Sequence, residues 1–595
     1  MINKIVNYSA CLIGLFPAVL TAQIKPVVTG RECPNVILVL TDDQGIGGLS
    51  CHGNPYLKTP CLDRFYEESI RMTDFHVSPM STPTRSAIIT GRYPIRNGAW
   101  ATFKGRDIIS RNSRTIAEVF RDNGYSTALF GKWHLGDNYP SRPTDCGFEY
   151  AVQHRSGGVG ELSDYWGNNY FDDTYWVNNE PHSFKGYCTD VWFQEAEKFI
   201  TRQKESEKPF FIYLSTNAPH GPHYVAEQYS APYKLLQDKG ILKDAGFYGQ
   251  IANLDKNFGK LDNFLKKNGL DENTIVIFMT DNGAAMADNT WVYGYRGAKG
   301  SRLEGGHRVP FFIRWPKGGL EGGKDISAMV AHVDLLPTLS ALCGIGISDE
   351  DKLDGIDFSP VLQHKGKLPQ GRTVFIHHRQ DSKPPYDVKE SCILKDNWRL
   401  LDGDKLYNLS NDKLQQKNIA ASNPQLVKEL LEENKEFVKQ TKQLAEYRNF
   451  IPVVAGSPEQ KVVVLTIQHA IGEDGGLWKA EQVAEGIKNR NNGYAIEFAT
   501  TGTYHISLAR WPRECQGEIH GVPERNPKSW YSYKEIKPEK AVIELDGRKY
   551  SREINANMKE VCFEVKMKQG TSFLKADFVE NGQPFGAYYI YIEGV

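Results

Sequence analysis

Apolar residues gather in short unbroken runs along the first half of the chain. "VILVLT" (36–41), "STALFG" (126–131), "PFFIYLST" (209–216), "TIVIFMT" (274–280) and "VPFFIRWP" (309–316) alternate too little for a half-exposed sheet, and so predict strands buried on both faces. Between them lie stretches with helical spacing. One is "RTIAEVFRDNG" (114–124), which closes on a glycine suited to a helix C-terminus. Strands alternating with helices from 35 to about 345 predict an α/β unit whose mostly parallel sheet is covered on both faces. Such sheets bind ligands beyond the carboxyl ends of their strands.

From about 370 the pattern changes. "RTVFIHH", "SCILKDNWRLL" and "KLYNLS" predict a short antiparallel sheet, and "NPQLVKELLEENKEFVKQTKQLAEY" has the period of an amphipathic helix. "RNFIPVVAGSPEQ" (448–460) reads as a linker. Strand-like runs then continue to the end, with an Asp-Gly hairpin signal in "KAVIELDGRKY". The expected organisation is an α/β unit over 23–365, a small antiparallel sheet with a helix over 366–450, and an added β-sandwich over 451–595.

The residues that follow the central strands carry the chemistry. "VILVLT" runs into Asp42-Asp43, "STALFG" into Lys132-Trp133-His134, "PFFIYLSTNAP" into His220, and "TIVIFMT" into Asp281-Asn282. A polar residue after one strand ordinarily just begins a loop. Four such sets at one sheet edge predict a shared site. Asp42, Asp43, Asp281 and Asn282 offer oxygen ligands alone, which suits Ca²⁺, or Mg²⁺, better than zinc. Taken singly, either pair reads rather as a turn or helix cap, and only the four together read as a ligand set. The histidines read singly as core residues, and Lys132 and Lys299 as solvated charges.

Composition narrows the classes. The chain has 595 residues, 40% hydrophobic and 24% charged, with a formal net charge of −1. That balance gives no case for nucleic acid, and no basic run suggests a membrane surface. Residues 1–22 have the form of an export signal: Lys4, a short apolar stretch interrupted by Pro17, and "LTA" before Gln23. The expectation is an exported protein, periplasmic or extracellular, without stable membrane insertion. Ten cysteines show no metal-binding spacing, and one or two disulfides fit an oxidising compartment.

"STPTRSAIITGR" (81–92) raises a further question, because Ser81 has no neighbouring base to make its hydroxyl nucleophilic. One reading is a serine N-cap ahead of Pro83 and a helix. That leaves Arg85 and the downstream Thr-Gly-Arg unexplained. The stretch resembles the signature of the type I sulfatases, C/S-x-P-x-R-x-x-x-x-T-G-R. The resemblance extends in order through "VLTDDQG", "FGKWHLG", "APHGPH", "TDNG", "GAKGSRLEGGHRVPFFIRWP", "HVDLLPTL" and "LDGIDFSPVL", roughly residues 35–450.

The resemblance implies an alkaline-phosphatase-like α/β fold and a sulfuric ester hydrolase. It implies that Ser81 is oxidised to formylglycine, whose aldehyde hydrates to a diol that attacks sulfur. A serine at this position resembles the bacterial subgroup matured by an oxygen-independent radical-SAM enzyme, a transient partner. By the same resemblance, Asp42, Asp43, Asp281 and Asn282 would hold Ca²⁺ together with residue 81. Arg85, Lys132 and Lys299 would neutralise sulfate, His220 would protonate the leaving alcohol, and His134 would take the proton that releases sulfate. The implied substrate is a sulfated glycan or an aryl sulfate.

Further contacts are expected from the long insertion 152–190 and the motif histidines: His154, Arg155, Asp172, Asp173, His223 and His307. Trp478, Trp511 and Trp530 in the C-terminal region read either as sugar-binding aromatics or as core. Two alternatives stand beside the sulfatase reading: a phosphatase or phosphonate monoester hydrolase, and a silent sulfated-glycan binder with Ser81 unmodified.

Overall fold

The structure is a computed structural model describing residues 33–595, apart from 286–292, 385–387, 473–475, 491–492 and 525–530. The export signal expected over 1–22, and Trp530, lie outside the described residues.

Five parallel strands form the centre of a ten-stranded sheet, in the order Thr274–Thr280, Asn35–Thr41, Phe210–Ser215, Ser126–Lys132 and Tyr150–His154. Their side chains alternate between two cores. Val36, Leu38 and Leu40 face Ile88, Ile116 and Leu335, whereas Ile37 and Val39 face Trp192, Leu254 and Phe258. Burial on both faces is why these runs lack polar alternation. The helices Cys188–Ser206 and Ala245–Lys267 cover one face. Ser81–Thr90, Ile116–Asp122 and Leu335–Leu342 cover the other. Thr115 and Glu118 close a reciprocal capping box at the start of Ile116–Asp122.

Antiparallel neighbours join the central five strands on both sides. Phe311–Arg314 runs against Thr274–Thr280, and the insertion adds Thr174–Val177 and Glu180–Ser183 beyond Tyr150–His154. The 152–190 segment therefore extends the sheet, although its sequence carries little core patterning.

Thr373–His377, Ser391–Lys395, Trp398–Leu401 and Lys405–Asn408 form a separate antiparallel sheet, followed by the helix Pro424–Thr441. The C-terminal strands form two further sheets that share one core. That core also takes in Ile108 and Leu162 from the first unit, and Trp166 meets Trp511 edge to face at 5.4 Å. The segment read as a linker is not one: Val453–Ala455 pairs with Tyr494–Phe498, which ties it into the sandwich. The pairing buries Val453 and Ala455. All nine cysteines among the described residues are free thiols, so the expected disulfides do not form there. Among the described residues no helix is long and apolar enough to cross a membrane.

Candidate active site

The parallel strands deliver their chemistry to one edge. Asp42 and Asp43 follow Thr41, Asp281 and Asn282 follow Thr280, and Lys132 and Ser215 close their own strands. Asp43 sits in the left-handed region at φ 65°, and its backbone N–H donates to Asp281 Oδ1 at 3.0 Å. Gly45 permits this turn: at φ +68° a Cβ there would lie 2.3 Å from the Ala284 nitrogen.

Ser81 is the first residue of the helix Ser81–Thr90. Met80 holds the cap position, and no side chain caps the helix. The serine hydroxyl is turned instead toward the acids, 2.9 Å from Asp42 Oδ1 and 2.6 Å from Asp281 Oδ2. The N-cap reading is thereby overturned. Arg85, one helical turn on, is fully buried. Its guanidinium donates to Asp281 Oδ2 at 3.0 Å and to Ser215 Oγ. Lys132 Nζ lies 2.6 Å from Asp42 Oδ2 and 3.3 Å from Ser81 Oγ, and Lys299 Nζ lies 2.7 Å from Asp43 Oδ2. Three carboxylates thus face three cations around one hydroxyl.

The charge balance within this set is uneven. Burial raises Asp42, but Lys132, His220, Arg85 and Lys299 outweigh it and hold the carboxyl well below its usual range. Asp281 is pushed up to about 7 by burial and by the nearby Asp42 charge. Ser81 has one proton for two close carboxylate oxygens, so one contact needs either a proton on an acid or a cation. The buried all-oxygen set of Asp42, Asp43, Asp281 and Asn282 fits a hard divalent cation, which would remove that surplus negative charge.

The two histidines occupy different positions. His134 is buried, with Nε2 donating to the Thr102 carbonyl at 3.1 Å. Nδ1 is therefore the unprotonated nitrogen, and it has no partner. Burial and Lys132 hold its pKa well below the ordinary histidine value, so the ring is a neutral base. His220 is 24% exposed at the mouth of a cleft. Its Nδ1 donates to Gly221 O at 2.7 Å, which leaves Nε2, 3.8 Å from Asp43 Oδ2, to exchange protons. Burial and Lys299 lower its pKa, while Asp43 and Asp42 act in the opposite direction.

The remaining expected contacts divide. His154 lies opposite Lys132 in the sheet register, fully buried, with Nε2 unpartnered and its pKa lowered to about 3 by burial. His223 stands near the cleft mouth and bonds Asp244 at 2.6 Å. Arg155 is stacked on Trp176, 3.4 Å from the ring centre. The structure does not bring Asp172, Asp173 or His307 to the site. Asp172 accepts from the Gly186 N–H, and Asp173 accepts from the Asn169 and Tyr170 N–H groups and from the Tyr175 hydroxyl, so both shape the insertion loop. His307 lies in a second buried cluster, its Nδ1 3.0 Å from His76. Glu304 in that cluster is occupied by Arg399 and Arg308, which argues against a metal there.

Sequence reasoning missed several contributors. Ser215 anchors Arg85, Thr102 sets the His134 tautomer, and Gly157 lets the loop close over His134. A Cβ at Gly157 would lie 2.6 Å from His134 Cε1. Only the glycine in "RSGGVG" hinted at the last of these.

Residues 34–345 match the Sulfatase family. The chain belongs to the sulfatase family, the sulfuric ester hydrolases of the alkaline-phosphatase-like superfamily. It is 30% identical over 353 residues to N-acetylgalactosamine-6-sulfatase of Canis lupus familiaris, covering 55% of this chain and 66% of that protein. Among solved structures it resembles Ps i-CgsB in complex with k-i-k-neocarrahexaose. There the TM-score is 0.63 with 26% identity, over 70% of this chain and 95% of the other. The phosphonate monoester hydrolase of Agrobacterium radiobacter shares the fold, with TM-score 0.50 and 21% identity over 69% and 96% of the two chains. The fold alone thus does not separate sulfate from phosphonate chemistry.

Proposed function

We propose that this sulfatase removes sulfate from a sulfated carbohydrate, outside the cytoplasm, at Ser81. The reading is carried by the Ser81 hydroxyl, which lies between the Asp42 and Asp281 carboxylates while Lys132, Arg85 and Lys299 pair with Asp42, Asp281 and Asp43 around it. Its sulfated-sugar substrate is supported by the names of its relatives. Oxidation of Ser81 to formylglycine by an oxygen-independent radical-SAM maturase would supply a hydrated-aldehyde nucleophile, with Ca²⁺ on Asp42, Asp43, Asp281 and Asn282 lowering its negative-charge penalty.

The chain's own residues do the rest. Arg85, Lys132 and Lys299 surround the position of a sulfate group and offset the charge that shifts onto its oxygens. Each such preorganised donor lowers the barrier by about 3–4 kcal/mol in comparable sites. Burial lowers the Lys132 ammonium, so its charge is least costly when an anion lies beside it. His220 Nε2, at the solvent-facing mouth, holds the proton for the departing alcohol. A bound sulfate ester raises its proton affinity at the moment that proton is needed. His134 Nδ1, buried and unprotonated, would accept the proton whose removal releases sulfate.

The test is the mass of the Ser81 peptide after expression with the maturase, paired with anion release. Loss of about two mass units, an alcohol oxidised to an aldehyde, with sulfate release supports the reading. Oxidation with release of phosphate alone would make the protein a phosphatase. An unmodified Ser81, beside a control substrate that the same maturase converts, would make it a silent glycan binder.

A further inference from the structure

A cleft of about 510 Å³ opens from His220 and is walled by two parts of the chain. One wall is the insertion loop and Tyr224, and the other is the C-terminal sandwich through Trp478–Glu481 and Tyr531. Tyr170, whose hydroxyl reaches the His220 carbonyl at 3.4 Å, meets Tyr224 edge to face at 5.8 Å, so the aromatic wall begins at the proton donor itself. Because His220 serves the departing oxygen, the sulfated residue itself lies at this end of the cleft, and a residue linked to it can run on along the same walls toward Trp478.

Trp478 is 43% exposed, while Leu477 and Ala480 beside it are buried. Among the described residues it is the one tryptophan with a largely exposed side chain. Its backbone is held across the domain boundary: its carbonyl accepts from Leu162 N–H at 2.9 Å, and Glu161 and Lys479 form a β-bridge. An anchored backbone under an exposed indole leaves only the side chain to be ordered on binding. Sugar rings present apolar C–H faces that suit such a side chain.

The charges here differ from those around Ser81. Among the described lining residues Lys479 is the one lysine or arginine, set against Glu161 and Glu481. Glu161 is fixed by Ser156, the Gly157 N–H and Gln468. An anionic ring would meet net negative charge and no guanidinium fork.

We propose that Trp478 and Tyr224 bind an uncharged sugar residue adjacent to the sulfated one, which makes the C-terminal sandwich a specificity determinant. The inference rests on the sulfatase reading above. The minimal preferred substrate is then a glycan of two residues, sulfated on one and neutral on the other.

The test uses the full matured chain with 4-nitrophenyl sulfate and a pooled set of sulfated mono- and disaccharides. Their second residue is a neutral hexose or N-acetylhexosamine, a hexuronate, or a second sulfated sugar. Sulfate is read by ion chromatography and the desulfated products by mass spectrometry. The expected result is preference for disaccharides with a neutral neighbour. Trp478→Ala should reduce the ratio of disaccharide to 4-nitrophenyl sulfate kcat/KM about 10-fold, mainly through KM, and Trp478→Phe should restore most of it. Preference for a charged neighbour, a ratio unmoved by Trp478→Ala, or turnover of 4-nitrophenyl sulfate without any saccharide overturns the subsite. If nothing releases sulfate although Ser81 is oxidised, the sulfatase reading fails first and the subsite with it.

Discussion

Ser81 Oγ lies 2.6 Å from Asp281 Oδ2, although 200 positions separate the two residues. The contact forms because the strand Thr274–Thr280 pairs in register with Asn35–Thr41, and the helix Ser81–Thr90 begins where both strands end. The most crowded negative charge of the site therefore lies at the residue proposed as nucleophile precursor. Asp281→Asn removes one charged oxygen from the set. We expect calcium affinity to fall at least 10-fold by titration calorimetry. The wild-type chain should gain about 2.7 kcal/mol of stability at a calcium concentration 100 times Kd. Failure of calcium to raise Tm in the wild type would contradict the assignment.

Arg85 is buried with its charge aimed at Asp281 and Ser215. Arg85→Lys keeps the charge and loses the fork, so kcat/KM should fall by roughly 10²–10³-fold, as for other preorganised donors. Circular dichroism and Tm of the variant separate this from misfolding.

His220→Ala should affect substrates according to their leaving group. A sugar alcohol needs a proton as its bond breaks, so a loss of about 10²–10⁴-fold in kcat is expected. With 4-nitrophenyl sulfate, whose phenolate leaves unaided, the loss should be much smaller. Equal losses on both would show that His220 acts through binding instead.

Gly157→Ala places a methyl group against His134. The imidazole must shift, and a displacement of about 1 Å at a reacting group can cost about 100-fold in rate. Activity should fall steeply while Tm changes little, and a crystal structure of the variant would show the displaced ring.

The second buried cluster contributes to acid stability. Burial raises Asp74, but His76, Arg308 and Arg399 outweigh it and bring its pKa down to about 2. A carboxylate depressed in the folded state stabilises the fold above its unfolded value near 3.8, and that contribution disappears as pH falls toward 2. The shift corresponds to about 2 kcal/mol at neutral pH. Asp74→Asn should therefore unfold more easily than the wild type at pH 6, with the difference reduced by about half at pH 3. Parallel denaturant titrations at the two pH values measure it.

Much of the α/β unit is legible in residue order. Buried strands need continuous apolar runs, and "TIVIFMT" becomes the strand Thr274–Thr280 without a change of boundary. Asp42, Asp43, Asp281 and Asn282 stand where such strands stop, and the Ser81-to-Arg92 motif is contiguous in sequence. These are local signals, written within about a dozen residues each.

The tertiary structure decided what those signals could not carry. Pairing of Asn35–Thr41 with both Phe210–Ser215 and Thr274–Thr280 is a contact between distant segments, and no local period encodes it. The motif histidine His307 proved to be a member of a buried ion network because Arg399, on a different sheet, reaches Glu304. Trp478 and Trp511 look alike in sequence, yet one is exposed over the cleft and the other is enclosed in the sandwich core. Hydrophobicity along the chain determines that a residue seeks burial. Which residues find a partner, and which are left facing a substrate, depends on surfaces that exist only once the distant segments have packed.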